Sequence, residues 1–235
     1  MDYSNSPYEV NEPQLSQAAI SAYMTRVFGW MTLALAITGV TALFVAGSPF
    51  INIFITTPFL FFGLMILEIL LVGALVGLVN RMSSVAATAT FIGYSILNGV
   101  TLSILFLIYA SSSIALCFFI TAGVFAFMAA YGYFTKNDLT SVGNLMFMGL
   151  IGIIIASIVN WFVQSEALYW IISYAGVFIF VGLTAYDTQK IKQQALLLSH
   201  DSETAQKGAI MGALTLYLDF INLFLFILRI FGGRK

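Results

Sequence analysis

The chain has 235 residues, of which 60% are hydrophobic and only 8% are charged, with a net charge of −1. Soluble domains carry about 25% charged residues, so this composition excludes a soluble globular domain, a disordered chain and a nucleic-acid binder with a basic face. A polytopic membrane protein remains. The lone cysteine and the lone histidine, Cys117 and His200, exclude a disulfide framework, a cysteine-based zinc site and most histidine-dependent catalysis.

The chain starts with a polar segment, residues 1–25, that contains Asp2, Glu9 and Glu12 and has neither a basic start nor a small-residue cleavage site. It is predicted to be a cytoplasmic N-terminal tail rather than a signal peptide. Seven later segments are apolar over the roughly 20 residues that a membrane-crossing helix needs. They cover residues 27–46, 59–79, 86–110, 114–134, 145–163, 168–186 and 209–230. The sequence therefore predicts an all-α membrane protein with a single seven-helix domain over residues 26–235.

The basic residues predict the orientation of the chain, since Lys and Arg concentrate in cytoplasmic loops. With the N-terminus in the cytoplasm, the basic residues before the seventh segment lie inside, and the loops on the other side have none. These residues are Arg26, Arg81, Lys136, Lys190, Lys192 and Lys207. Arg229, Arg234 and Lys235 lie outside if the seventh segment crosses fully, and inside if it re-enters and returns. Seven crossings are favoured, because charges on a short distal tail carry less topological weight.

Charged residues inside membrane spans are costly and are usually functional. Asp219 lies about ten residues into the seventh segment, near the bilayer midplane. Helical spacing places Thr215 and Asn222 on the same stripe as Asp219. A polar stripe on an apolar helix packs against other helices rather than lipid. The seventh helix is therefore predicted to face the interior of the bundle.

Asp219 and Asp187, which ends the sixth segment, each have two interpretations. Asp219 is either a protonated side chain that joins helices or a functional carboxyl. Asp187 is either a helix-end carboxylate paired with Lys190 or, if the sixth helix continues to about Lys192, a partner of Asp219. Two carboxyls brought together share a proton and titrate as a pair. Such a pair suits a pH-sensing latch or a cation site, because Ca²⁺ takes oxygen ligands.

Four other polar residues lie in or beside the spans. Glu68 has no polar neighbour one turn away on the second segment, so its partner must come from another helix or it stays protonated. Arg81, at the end of that segment, either sets topology at the interface or reaches inward to the acidic pair and opposes its protonation. Asn98 and Thr101 in the third segment are predicted to form hydrogen bonds between helices.

Two stretches near the C-terminus carry specific motifs, GLTAYDTQKIK at residues 182–192 and GALTLYLDFINLFLFILRIFGGR at residues 212–234. They resemble the signature of the Bax inhibitor-1 family, also called the transmembrane Bax inhibitor motif family. YMTRVFGWMT at residues 23–32 and KNDLTSVGNLMFMGLIGIIIASIVNWF at residues 136–162 are similar to its bacterial branch. The resemblance covers nearly the whole chain.

The resemblance implies a bundle of seven helices whose last helix is central and surrounded by the other six. It also implies a pH-dependent calcium leak through the membrane. In such proteins an aspartate pair on the last two helices senses pH, and the matching residues here are Asp187 and Asp219. The family's latching arginine matches Arg81, and the acidic residue of its second helix, on the ion path, matches Glu68.

The leading hypothesis is a pH-sensitive calcium leak channel or transporter of the bacterial inner membrane, gated by Asp187 and Asp219. The bilayer, protons and Ca²⁺ are then its partners, with no resident cofactor, no nucleic acid and no enzymatic activity. Thr215, Asn222 and Asn98 support the pair, which also forms the candidate Ca²⁺ site. The alternative is a membrane interaction protein that modulates a protease or other quality-control machinery through its tail, without transport. An intramembrane aspartyl protease is disfavoured, because the chain lacks the GxGD motif of that class.

Overall fold

A computed structural model describes residues 12–197, 202–233 and 235 of the chain. In these residues there are nine helices, which supply seven stretches long and apolar enough to cross a membrane. The helices are α1 (Glu12–Ala46), α2 (Ile51–Thr56), α3 (Pro58–Leu78), α4 (Ser84–Leu102), α5 (Leu105–Ile108), α6 (Ser111–Phe134), α7 (Thr140–Val163), α8 (Glu166–Leu197) and α9 (Ser202–Phe231). Helices α4 and α5 together form the third span. The prediction of an all-α membrane protein with seven spanning helices is confirmed.

Helix α1 begins at Glu12, inside the segment that the sequence assigns to a tail. Ile20, Tyr23, Met24 and Val27 recur at helical spacing, so they share one face of the helix. All four are buried in the core of the bundle. The packed part of the first helix therefore starts about two turns before the first continuous apolar run. The beginning of the predicted tail, residues 1–11, lies outside the described residues.

The third span contains a break that the sequence analysis did not predict. Helix α4 ends at Leu102 and α5 begins at Leu105, with a turn at residues 103–104. The hydroxyl of Ser103 donates to the carbonyl of Val100 at 2.6 Å. Local bonds of this kind compete with the regular helical pattern of backbone hydrogen bonds. The hydropathy of the sequence does not indicate this break, because the flanking residues are apolar on both sides.

Helix α8 continues eleven residues beyond Tyr186, where the sixth apolar segment was predicted to end. Two polar side chains in this extension bind the end of α6 and the turn between α6 and α7. Gln189 accepts a hydrogen bond from the backbone N–H of Leu139 at 2.9 Å, and Lys192 Nζ donates to the carbonyl of Tyr133 at 2.6 Å. These bonds hold the last turns of α8 in helical form against the neighbouring helices. Asp187 consequently lies within a helix rather than at its end.

Helix α9 is the most buried of the seven spans. Within its most apolar stretch 67% of the residues are buried, whereas the other spans reach 39% at most. It packs against α8, α1, α6 and α4. Gly212 lets this packing be close, since a Cβ there would lie 3.1 Å from Ile191 of α8. The face of α9 that carries Asp219 is therefore inside the bundle, as predicted. That all six other helices surround α9 stays a prediction.

Contacts between loops define two ends of the bundle. At the N-terminal end, where α9 starts, Lys207 Nζ donates to the carbonyl of Met82 at 3.1 Å. At the C-terminal end, the N–H of Ala110 donates to the carbonyl of Gly233 at 3.0 Å. The N–H of Lys235 donates to the carbonyl of Ile108, also at 3.0 Å. The last helix thus runs the full length of the bundle, which matches seven crossings. Which of the two ends faces the cytoplasm stays a prediction. His200 and Arg234 lie outside the described residues.

Candidate functional site

A cavity of about 1060 Å³ between α3, α7, α8 and α9 brings two predicted site residues together. Asp187 of α8 and Asp219 of α9 both line this aspartate cavity. Along α7 the lining runs from Gly143 to Ile158, which corresponds to about 22 Å at the helical rise of about 1.5 Å per residue. The cavity therefore extends from the two carboxyl groups well into the membrane-spanning part of the bundle.

The side chains of Asp187 and Asp219 face one cavity from neighbouring helices, and the charge of Asp187 acts on the Asp219 carboxyl group. Asp219 is only 5% exposed, and its Oδ2 is buried with no hydrogen-bond partner in the described part of the chain. An ionised carboxylate can only accept hydrogen bonds. A hydrogen bond between two carboxyl groups therefore requires a proton on one of them. The arrangement offers a place where one proton can be held between two helices.

Lys190 is the basic residue that acts on the pair from the same cavity. It lies one turn after Asp187 on α8, and its positive charge attracts that carboxyl group. The Lys190 ammonium also lies over the ring of Tyr186, 5.6 Å from the centroid. Among the described residues no salt bridge joins Lys190 to Asp187. The direct ion pair of these two residues, one of the two interpretations of Asp187, is thus not formed here, although the charge of Lys190 still acts on Asp187.

Neutral oxygen groups complete the polar lining of the aspartate cavity. Thr215 and Asn222 lie on the same face of α9 as Asp219, as their spacing predicted. Thr215 Oγ1 donates to the carbonyl of Met211 at 3.1 Å, and Asn222 Nδ2 donates to that of Leu218 at 2.8 Å. Each group uses its hydrogen on its own helix, so an acceptor oxygen is left for a ligand.

The donor set suits a cation that keeps part of its water. Ca²⁺ takes about six to eight oxygen ligands, and the cavity offers two carboxyl groups with a few neutral oxygens. No group of three or more His, Cys, Asp or Glu side chains that could hold a metal is found among the described residues. The Asp187 and Asp219 pair as a Ca²⁺ site stays a prediction, and the chemistry favours weak, exchangeable binding.

Arg81, the predicted latch, lies away from the pair. It follows the end of α3 in the turn that leads to α4, its side chain is exposed, and it is not part of the lining of the aspartate cavity. The backbone N–H of Arg81 donates to the carbonyl of Leu78 at 2.8 Å, which closes α3. The structure therefore does not bring Arg81 to the aspartates. Its role as a latch stays a prediction, without a contact in this conformation.

Glu68 and Asn98 meet each other, but not the aspartates. Thr101 Oγ1 donates to Glu68 Oε1, and the side chain of Asn98 forms a hydrogen bond with the same carboxyl group. Tyr217 donates its hydroxyl hydrogen to Asn98 Oδ1 at 3.2 Å, and its oxygen lies 2.7 Å from Thr38 Oγ1. We call these five residues the Glu68 network. The partners of Glu68 thus come from another helix, as expected, and Glu68 as part of the ion path stays a prediction.

Tyr217 and Thr38 are the residues of the Glu68 network that the sequence analysis missed. Tyr217 is completely buried, and its ring contacts the rings of Phe91 and Tyr94 edge to face at centroid distances of 5.9 and 5.8 Å. Tyr217 precedes Asp219 by two residues, which places the two side chains on opposite faces of α9. A tyrosine two positions before a buried acid, on an otherwise apolar face of the helix, is the signal that could have found Tyr217.

Comparisons with known proteins agree on one family. The model of the family described as "Inhibitor of apoptosis-promoting Bax1" matches residues 20–235. The inner membrane protein YbhL of Escherichia coli K12 is 47% identical over 221 residues, which cover 93% of this chain and 94% of YbhL. Uncharacterized proteins of Borreliella burgdorferi and Rickettsia prowazekii are 45% and 42% identical, over 91% and 100% of this chain and 92% and 99% of their own lengths.

Proposed function

Because the chain belongs to the Bax inhibitor-1 family of membrane proteins, we propose that it is a pH-sensitive calcium leak channel or transporter of the bacterial inner membrane. In this proposal, a proton shared by Asp187 and Asp219 controls passage of the ion. The observation that supports it most is that these two carboxyl groups face the same long cavity of the membrane domain, where the charge of one acts on the other.

The shared proton links pH to the packing of the last two helices. Asp187 is on α8 and Asp219 is on α9, so the bond between them joins these helices. Two carboxyl groups this close cannot both be ionised cheaply. When the shared proton leaves, the bond is lost and two like charges face each other in a buried place. The contact between α8 and α9 then becomes less favourable, which gives the protein two states that protons can select.

The same proton also sets the charge that a cation meets. A deprotonated pair presents one more negative charge to the aspartate cavity than a pair that holds a proton. Hard cations such as Ca²⁺ prefer carboxylate and neutral oxygen ligands, and Thr215 and Asn222 supply neutral oxygens on the same face of α9. We therefore propose that protons and Ca²⁺ compete for this site. Ca²⁺ is the cargo here, and the proposal includes neither an enzymatic reaction nor a resident cofactor.

The proposed orientation places the N-terminus in the cytoplasm. The end of the bundle at which α9 starts contains Arg81, Lys136, Lys190, Lys192 and Lys207. Basic residues concentrate on the cytoplasmic side of inner-membrane proteins. The aspartate pair then lies on the half of the cavity nearer to the cytoplasm, where it senses cytoplasmic pH.

The test is a flux assay on purified protein in liposomes that contain a Ca²⁺-sensitive dye. We expect wild-type Ca²⁺ flux to change across a pH series, and we expect Asp219→Asn to remove that change, because an amide cannot exchange a proton with Asp187. Asp138→Asn is the matched control, since it neutralises an exposed aspartate in the turn before α7. Flux and pH dependence that survive Asp219→Asn unchanged would refute the gating mechanism.

The alternative function predicts a different outcome in the same assay. A membrane interaction protein that modulates a protease has no reason to pass Ca²⁺ at any pH. Removal of residues 1–11 leaves Ile20, Tyr23 and Met24 in the core, so this deletion tests the tail without disturbing α1. Absence of flux from the intact protein, together with loss of partner binding after the deletion, would favour the alternative over a calcium leak.

A further inference from the structure

Two further cavities lie beyond the aspartate cavity toward the C-terminal end of the bundle. A middle cavity of about 320 Å³ shares Asn222 and Phe226 with the aspartate cavity. A terminal cavity of about 630 Å³ shares Arg229 with the middle cavity. The three cavities thus follow one another along a single side of α9, and neighbouring cavities meet at side chains of that helix.

The shared side chains form one stripe along α9. Asp219, Asn222, Phe226 and Arg229 are separated by three, four and three residues, which is the spacing of one helix face. Three of them are polar or charged, and Phe226 is the apolar exception. Arg229 lies at the far end, with its guanidinium 4.3 Å from the centroid of the Tyr169 ring. The stripe therefore changes from carboxyl to amide, then to an aromatic ring, and then to a cation.

The ring of Phe226 on α9 packs closely against α8. It stacks on the ring of Phe180 at a centroid distance of 5.9 Å and an interplanar angle of 28°. It also lies against Gly176, one turn before Phe180 on α8, where a Cβ would come within 2.5 Å of Phe226 Cε1. Only a glycine at position 176 leaves room for this ring position. The ring therefore occupies the place where the aspartate cavity and the middle cavity meet.

We propose that Phe226 is the barrier that closes the route from the aspartate cavity to the C-terminal end of the protein. An apolar constriction stops ions because water and hydrated ions leave it, even where the route on both sides is polar. A small movement of α8 relative to α9 displaces the ring from Gly176 and joins the two cavities. The identity of the ion rests on the proposed function, whereas the position of the barrier does not.

Thiol accessibility tests the barrier without relying on ion flux. Cys117 is completely buried, and Cys117→Ala gives a background free of cysteine. Thr215 lines the aspartate cavity but not the middle cavity. In the cysteine-free background, Thr215→Cys is treated with a membrane-impermeant charged maleimide in right-side-out and in inside-out vesicles. We expect modification from one side only, the side that the aspartate cavity faces. Adding Phe226→Ala, or the milder Phe226→Leu, is expected to make Thr215→Cys react from both sides.

Phe224→Ala is the matched control for both measurements. Phe224 is a buried phenylalanine on the same helix, but it packs against Phe118 of α6 and lines none of the three cavities. In the Ca²⁺ flux assay we expect Phe226→Ala to raise the rate about tenfold, which corresponds to a barrier lower by about 1.4 kcal/mol. Phe224→Ala is expected to leave both the flux and the one-sided modification of Thr215→Cys unchanged.

The outcomes separate the barrier from the proposed function. Modification of Thr215→Cys from both sides or from neither side with Phe226 intact, or from one side only after Phe226 is truncated, overturns the barrier. If the modification pattern is as expected but wild-type liposomes pass no Ca²⁺, the barrier stands and the calcium leak fails. If wild-type flux is present and Phe226→Ala and Phe224→Ala change it equally, the barrier fails while the calcium leak stands.

Discussion

Helix α9 has two polar faces that differ in how completely their polar atoms are paired. On one face, Tyr217 joins the Glu68 network, and its hydroxyl contacts both Thr38 and Asn98. On the other face, Asp219 points into a cavity of about 1060 Å³ and has one buried oxygen with no hydrogen-bond partner in the described part of the chain. The first face is satisfied and closely packed, and the second is unsatisfied and open.

This difference suggests a structural role for one face of α9 and a functional role for the other. A satisfied buried network fixes the positions of the helices that contribute to it, here α1, α3, α4 and α9. A buried polar atom without a partner is costly, and in native proteins it calls for an explanation such as a proton or ion site. We therefore propose that the Glu68 network anchors α9 and that protons exchange at the aspartate cavity.

Removing the anchor is expected to have the largest effect. Tyr217→Ala leaves a hole in the fully buried centre of the Glu68 network and removes its ring contacts. We expect a loss of about 3–5 kcal/mol in the free energy of unfolding, the range for truncation of a large buried side chain. Denaturation of the purified protein in detergent measures it. Phe178→Ala, at a side chain that is 68% exposed on the lipid-facing surface, is the control, and an equal loss in both variants would contradict the anchoring role.

Changes at Glu68 are expected to have an intermediate effect that depends on the substitute. Glu68→Gln keeps an oxygen that accepts from Thr101, so stability is expected to stay near that of the wild type. Glu68→Leu leaves Thr101 and Asn98 without this partner and is expected to cost about 1–3 kcal/mol. Neither variant is expected to alter the pH dependence of Ca²⁺ flux. A normally stable Glu68→Gln protein without flux would place Glu68 on the ion path instead.

Replacing Asp219, on the face of α9 that lines the aspartate cavity, by a neutral residue is expected to stabilise the protein slightly. An asparagine at position 219 can donate to Asp187 at any pH, whereas the native carboxyl group loses this bond when the shared proton leaves. Where the native pair has lost its proton, we expect Asp219→Asn to raise the free energy of unfolding by about 1 kcal/mol, the usual value of one net hydrogen bond. The same denaturation measurement applies. A clear loss of stability would show that this face, too, mainly anchors the helix.

Asp138 is a water-exposed reference for the two buried faces of α9. Substitution of Asp138 is expected to change the stability of the protein least. Its Oδ1 accepts from the N–H and the hydroxyl of Thr140 at 2.9 and 2.6 Å, and these bonds lower the pKa of the carboxyl group. A lowered pKa in the folded state adds stability that is present at neutral pH and is lost as the pH falls through that pKa. Asp138→Asn should therefore melt slightly below the wild type at neutral pH and equally at strongly acidic pH. A gap in melting temperature that widens in acid would contradict this sign.

The spans could be predicted from the sequence because the hydrocarbon core sets a minimum apolar length. Boundaries were harder wherever tertiary contacts decide them. Helix α8 continues beyond its apolar run because Lys192 bonds the end of α6 and Gln189 bonds the turn before α7. The start of α1 follows a helical stripe of buried residues rather than a continuous apolar run.

Only the positions of site residues along one helix could be predicted from the sequence. The stripe of Thr215, Asp219 and Asn222 follows from helical spacing, and the structure places all three in one cavity. Contacts between helices do not follow from spacing, so nothing in the sequence separates the Glu68 network from the aspartates. The exposed position of Arg81 could not be predicted from the sequence either, since it depends on where α3 ends.

The central claim is that Asp187 and Asp219 act as one proton-sharing unit. It is tested most directly by the pH dependence of Ca²⁺ flux in the wild type, Asp187→Asn, Asp219→Asn and the double variant, all in the same liposomes. Residues that act as a unit are not additive. We therefore predict that each single variant removes nearly all of the pH response and that the double variant removes no more. A single variant with the wild-type response, or a double variant whose effect is the sum of two partial losses, would contradict the claim.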